Sequence, residues 1–139
     1  MSVERYKVIS MSKSEHRIQD EIRLGVCEQT PFLCFRCNAG SAWGGTYATV
    51  LEDVKTDRGF IPKGSKIIMN PRKIALLPEG FSDLLCVGPN ATTVFIEVKD
   101  DIGKTRKAQN RFLAAMQSLG FRTGVARSVE DAIKIIKGE

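Results

Sequence analysis

An aspartate and a Glu-Val-Lys triplet, Asp83 and Glu97-Val98-Lys99, stand toward the ends of two strand-like runs, Gly80-Phe81-Ser82-Asp83-Leu84-Leu85 and Thr93-Val94-Phe95-Ile96-Glu97-Val98-Lys99. Side chains alternate faces along a β-strand, so Glu97 and Lys99 point one way and Val98 the other, into a core. If the two runs pair as a hairpin, Asp83 falls opposite the triplet. Two carboxylates then offer hard oxygen ligands to Mg²⁺, and the lysine beside them is placed to orient a water as its ammonium, or to deprotonate it as the free amine, for attack on phosphorus. The chemistry this arrangement suggests is phosphodiester hydrolysis. Taken singly, an Asp at a turn and a Glu/Lys pair on a wet strand face are ordinary structural features. The nearly continuous apolar run of Val94, Phe95, Ile96 and Val98 points instead to a central strand covered on both faces, where charge needs a reason.

The elements that must hold these residues fit one domain. With 139 residues, 42% of them apolar, the chain can bury a real core. Its longest apolar runs fall well short of the ~18 residues of a membrane span, and residues 1–12 lack the apolar centre of a signal peptide. The expectation is a soluble cytoplasmic protein with no membrane partner. Cys34-x-x-Cys37 has no second pair to complete a zinc site, so buried free thiols are favoured.

The formal charge of +5 is unevenly spread. Residues 55–73 carry Lys55, Arg58, Lys63, Lys66, Arg72 and Lys73 against Asp57 alone, and residues 104–127 carry Lys104, Arg106, Lys107, Arg111, Arg122 and Arg127 with no acid. Such blocks suit a polyanion, because Lys and Arg contacts to phosphate supply most sequence-independent nucleic-acid affinity. Each block also has a plain account as a solvated surface.

A first helix is predicted over about 13–28, with Ser12 as N-cap and Glu15 at N3 of a capping box, and Ile18, Ile22 and Val26 as its apolar stripe. Glu15 and Gln19 flank that stripe on one side, so Glu15 has both a capping and a site-facing reading; His16 lies off it and is expected to be exposed. Two strands, Phe32–Cys37 and Tyr47–Leu51, bracket a glycine-rich loop holding Trp43, which either stacks on a base or covers a core edge. Residues 52–78 read as a basic hairpin or extended excursion. A helix over 103–120 buries Phe112, Met116 and Leu119, with Gln109 facing inward and Gly120 as its stop. A strand, Arg122–Ala126, and a helix opened by Ser128 close the chain, and the final α-β-α alternation implies a parallel strand added to a mixed sheet.

With these residues in view, the chain resembles the VRR-NUC branch of the PD-(D/E)XK nuclease superfamily, in particular its small stand-alone phage forms. The matching features are Glu15, Arg36-Cys37-Asn38-Ala39-Gly40, Gly80-Phe81-Ser82-Asp83-Leu84, Glu97-Val98-Lys99, Gln109 and the closing Ala126-Arg127-Ser128-Val129-Glu130-Asp131. The resemblance implies a restriction-endonuclease-like α/β fold, a mixed β-sheet core flanked by helices in the order α-β-β-β-α-β-α. It implies one nuclease domain over 1–139 with a basic hairpin-like insertion at about 41–75. Asp83, Glu97 and the Val98 carbonyl would ligate Mg²⁺, with Mn²⁺ as a substitute. Glu15 would complete the metal site directly or through water, Lys99 would activate the attacking water, and Gln109 would orient the lysine or the phosphate. Phe81 and Ser82 depart from the proline-bearing form of the motif. Arg36, Lys66, Arg72, Lys104, Arg106 and Lys107 are the candidate DNA contacts. Small members of the family imply a homodimeric, structure-specific endonuclease cutting branched DNA such as Holliday junctions or flaps, in a bacterial or phage-infected cell. The alternatives are a duplex-specific restriction-like nuclease and a non-catalytic nucleic-acid-binding module.

Overall fold

The computed structural model describes residues 13–139. The described residues divide into two compact units, 13–39 with 77–139, and 40–76.

In the larger unit, helix α1 (Glu15–Gln29) is capped by Ser14, whose hydroxyl accepts the Arg17 N–H at 3.3 Å. The predicted Ser12/Glu15 box is therefore replaced: Ser12 lies outside the described residues, Ser14 offers the same hydroxyl next to the first turn, and Glu15 becomes the first helical residue. Ile18, Ile22 and Val26 are buried, as their spacing predicted. They pack on a four-stranded sheet ordered β1 (Leu33–Arg36), β6 (Leu84–Gly88), β7 (Thr92–Val98), β8 (Arg122–Ala126). The β1–β6 and β6–β7 pairs are antiparallel and β7–β8 is parallel. With strands on both sides and helices on both faces, β7 needs its apolar run.

Alternation along β7 sorts its side chains. Val94, Ile96 and Val98 join one core with α1 and with Ala132 and Ile136 of α3 (Val129–Lys137). On the opposite face Phe95 stacks edge-on against Phe112 of α2 (Lys107–Ser118), with ring centroids 5.4 Å apart, and against Phe121 at 5.5 Å. That is the face carrying Glu97. The larger unit thus runs α-β-β-β-α-β-α around a mixed sheet, the α/β architecture expected.

Three local expectations fail for identifiable reasons. The strand carrying Asp83 begins only at Leu84, because Phe81 N–H closes a turn on Pro78 and Gly80 sits at φ +88°. A Cβ at Gly80 would also lie 2.5 Å from the Ala108 carbonyl oxygen, at the start of α2. Gly80→Ala should therefore lose about 2–4 kcal/mol in urea unfolding, through backbone strain and the clash together. Leu119 is 69% exposed rather than inward, because α2 ends at Ser118 and Leu119 is its C-cap. Among the cysteines, Cys34 and Cys86 are buried but Cys27 is exposed.

Residues 40–76 form a ribbon of their own. Strand β2 (Ser41–Thr49) pairs antiparallel with β5 (Lys66–Ala75), and a small hairpin of β3 (Val54–Thr56) and β4 (Gly59–Ile61) lies between them in sequence. The glycine-rich stretch read as a loop is thus mostly strand: a Cβ at Gly45 would meet the Met69 carbonyl, so this glycine marks close approach at a register shift, not a turn. Trp43, opposite Lys73, is 61% exposed and covers no core edge.

Candidate active site

Extending the β6–β7 register past its last pair, Leu84 with Ile96, brings Asp83 opposite Glu97. The ladder stops there, and the Asp83 side chain takes over: its Oδ2 accepts the Val98 N–H at 2.8 Å. On one strand residue the N–H and C=O point to the same side, so the Val98 carbonyl faces the Asp83 edge as well. The Asp83 carbonyl in turn accepts the Cys37 N–H at 2.8 Å, which ties the end of β1 to the same corner.

Glu97 and Lys99 share a face, and both are buried, at 1% and 6% exposure. The Lys99 ammonium lies 3.3 Å from Glu97 Oε1 and 3.8 Å from Glu15 Oε2. Gln109 donates from Nε2 to the same Glu97 Oε1 and accepts the Arg106 N–H on its Oε1 at 2.8 Å. Its amide thus ties the first turn of α2 to the carboxylate, and the contact it makes is with Glu97 rather than with Lys99. Glu97 Oε2 is buried with no hydrogen-bond partner. Burial first, and then the neighbouring Asp83, push the Glu97 carboxyl up to about 7 against the opposing pull of Lys99.

These groups fit a hard divalent cation. A buried carboxylate oxygen without a donor, beside a second carboxylate that repels it, is the electrostatic deficit such an ion corrects. Among the described residues no three His, Cys, Asp or Glu side chains gather into a cage. The acidic pair is Asp83 and Glu97, and Glu15 reaches the group through its contact with Lys99.

The candidate DNA contacts are dispersed. The Arg36 guanidinium bonds His16 Nδ1 at 2.7 Å, a pairing no local pattern could reveal because the partners are 20 positions apart. Lys66 and Arg72 lie on β5, where Lys66 bonds Thr49 Oγ1 at 2.7 Å. Lys104, Arg106 and Lys107 are exposed at the entrance to α2. Two further cations take roles that no sequence pattern assigned them: Arg127 holds the loop after Lys99, and Lys134 lines a cleft with Lys104.

A comparison with family models finds no match, and no curated protein matches the chain. Among solved structures, one described as a VRR_NUC domain matches at 30% identity and a TM-score of 0.37. The chain is similar to this VRR_NUC domain. The similarity covers 42% of this chain and 63% of the other, so the chain spans less than two thirds of that neighbour's length. Among the described residues no helix is long and apolar enough to cross a membrane.

Proposed function

We propose that this chain is a metal-dependent endodeoxyribonuclease of the VRR-NUC type that cuts branched DNA, with Mg²⁺ as its cation and Mn²⁺ able to substitute. One observation carries the reading: at the end of a central strand, a buried glutamate with an unpartnered oxygen faces Asp83, contacts Lys99 and is held by Gln109. A merely structural glutamate would not be kept ionisable in so dry a position.

Asp83, Glu97 and the Val98 carbonyl would hold the cation, with Glu15 acting on the same site directly or through water. The chemistry such a cation supplies when bound is Lewis-acid polarisation of the scissile phosphate and neutralisation of charge gathering on it. Lys99, kept near Glu97 and Glu15, would orient the attacking water through its ammonium N–H groups and steady the charge gathering on the phosphorane. Gln109 restrains Glu97 by hydrogen bonding and so limits the rotamers open to it. Asp83 braces the strand end through Val98 N–H, which ties the metal-binding groups to the backbone that bears Lys99.

The substrate is gathered by the basic residues. Replacing Arg106 and Lys107 by alanine should weaken DNA binding and lower its log–log salt slope by roughly one unit for each phosphate no longer neutralised. An unchanged slope, measured by anisotropy across a salt series, would clear this end of α2 of any role in holding phosphate. A homodimer is proposed from the exposed apolar side chains on residues 40–76, among them Trp43, Tyr47, Phe60 and Ile74. Sedimentation showing only monomer, with and without DNA, would remove it.

The test of the whole reading is cleavage of end-labelled four-way junction, flap, linear duplex and single-stranded DNA in Mg²⁺, Mn²⁺ or EDTA. Metal-dependent cutting of the branched substrates is expected. Intact DNA in every lane, despite tight binding, would favour a non-catalytic module, and preferential cutting of linear duplex would favour the restriction-like alternative.

A further inference from the structure

The segment that follows Lys99 is fastened more firmly than an exposed loop requires. Asp100 Oδ1 accepts the Ile102 N–H at 3.2 Å and the Gly103 N–H at 2.6 Å. From the end of β8, Arg127 donates to the Asp100 carbonyl and, at 2.8 Å, to the Gly103 carbonyl. Ile102 stands at the tip of this clamped turn, 87% exposed, more than any other large apolar side chain among the described residues. A lone exposed isoleucine is unremarkable on a surface. One fixed by a four-bond clamp beside the candidate catalytic lysine is different, because a stiff β-branched side chain on a rigid turn loses little entropy when it inserts into something.

Its surroundings say what that something carries. Lys104, Arg127 and Lys134 border a cleft of about 660 Å³ in which the acidic residue is Asp131. That carboxylate already accepts the Arg127 backbone N–H at 3.0 Å. The cleft therefore presents net positive charge, and it is joined to the apolar tip through the same loop, since Lys104 follows Ile102 by two residues and Arg127 clamps the turn that bears it. Positive charge with an apolar point suits nucleic acid, with phosphates outside and stacked bases within.

We propose that the Asp100–Thr105 loop and the cleft form a second DNA subsite: Ile102 wedges into the base step at a branch, and the cleft seats the backbone phosphate beside it. The proposal rests on the reading of this chain as a DNA-acting nuclease and deepens it by giving the preference for branched DNA a physical origin. Apolar side chains enter a duplex only by unstacking a step, and a step at a branch is already partly unstacked. Insertion is thus cheaper there than in continuous duplex. The wedge discriminates by DNA deformability rather than by sequence.

The experiment uses the full chain and a four-way junction carrying 2-aminopurine at the branch, with Ca²⁺ replacing Mg²⁺ so that binding is read without relying on cleavage. Wild-type protein should brighten the probe, and Ile102→Ser should lose most of that rise, about fivefold or more, while still binding the junction. Lys134→Ala should weaken junction binding by roughly three- to tenfold and lower its salt slope by about one unit. A wild-type protein that binds without brightening the probe, or an Ile102→Ser variant that brightens it fully, overturns the wedge. Unchanged affinity and salt slope in Lys134→Ala overturn the cleft as a phosphate seat. Failure of the nuclease reading is separate and visible: wild-type protein would bind and brighten the junction in Ca²⁺ yet leave it uncut in Mg²⁺.

Discussion

Asp83→Asn and Lys99→Ala are each expected to slow cleavage of branched DNA by about 10³–10⁴-fold while leaving affinity within about twofold at low salt. The separation follows from where the residues sit. Lys99 is buried against Glu97 and Glu15, so on the proposed reading its charge would serve the reacting centre and not the phosphates held by the basic blocks. Asparagine suits the Asp83 position because it keeps an oxygen to accept the Val98 N–H while removing the charge. Alanine would instead leave that N–H without its acceptor, and relief of repulsion with Glu97 would be offset by the missing hydrogen bond, about 1–3 kcal/mol if the group stays dry. Single-turnover cleavage and fluorescence anisotropy on one junction measure the two effects independently. Parallel loss of binding and cleavage in both variants would place Asp83 and Lys99 in DNA recognition and undo their proposed roles.

How much of this site was legible beforehand depends on the range of each interaction. The shared face of Glu97 and Lys99 follows from the two-residue period of a strand, and the place of Asp83 follows from antiparallel pairing; both are local rules, and the structure obeys them. Gln109 could be read as inward-facing from helical spacing, but its attachment to Glu97 depends on how α2 crosses the sheet. The Arg127 clamp was less legible still. Its acceptors are backbone carbonyls 27 and 24 positions away, and carbonyls carry no residue signature. Cys34 shows the same limit: as a buried free thiol it was expected, but its neighbour Cys86, with the two sulfurs 3.1 Å apart, comes from β1–β6 register and not from the C-x-x-C spacing.

Boundaries erred where one residue type serves two purposes. Glycine signals turns, and it does so at Gly80, yet at Gly44 and Gly45 it admits close approach within a ladder. Serine signals N-caps, and the cap of this helix is Ser14, two positions after the serine expected. In both cases the pattern identified the kind of event, and packing decided its position.

The buried glutamate yields an expected result that does not depend on activity. Its folded carboxyl stands at about 7, above the ordinary value of 4.5. A raised carboxyl contributes stability that is complete below 4.5, where both states hold the proton, and is lost as pH climbs through 7. Between those values the unfolded chain has released a proton that the folded chain retains, so wild-type stability should fall as pH rises. Glu97→Gln removes the charge but preserves shape and an oxygen to accept the Gln109 amide. Without metal the variant should therefore match wild type near pH 4 and exceed it near pH 8, by up to about 3 kcal/mol. Adding Mg²⁺ should raise wild-type stability at the higher pH through preferential binding to the folded state, with little effect on the variant. Urea unfolding at both pH values, with and without Mg²⁺, tests each part. Equal pH dependence in the two proteins would mean that Glu97 is not desolvated as its burial implies. An equal response to Mg²⁺ would move the cation away from this carboxylate.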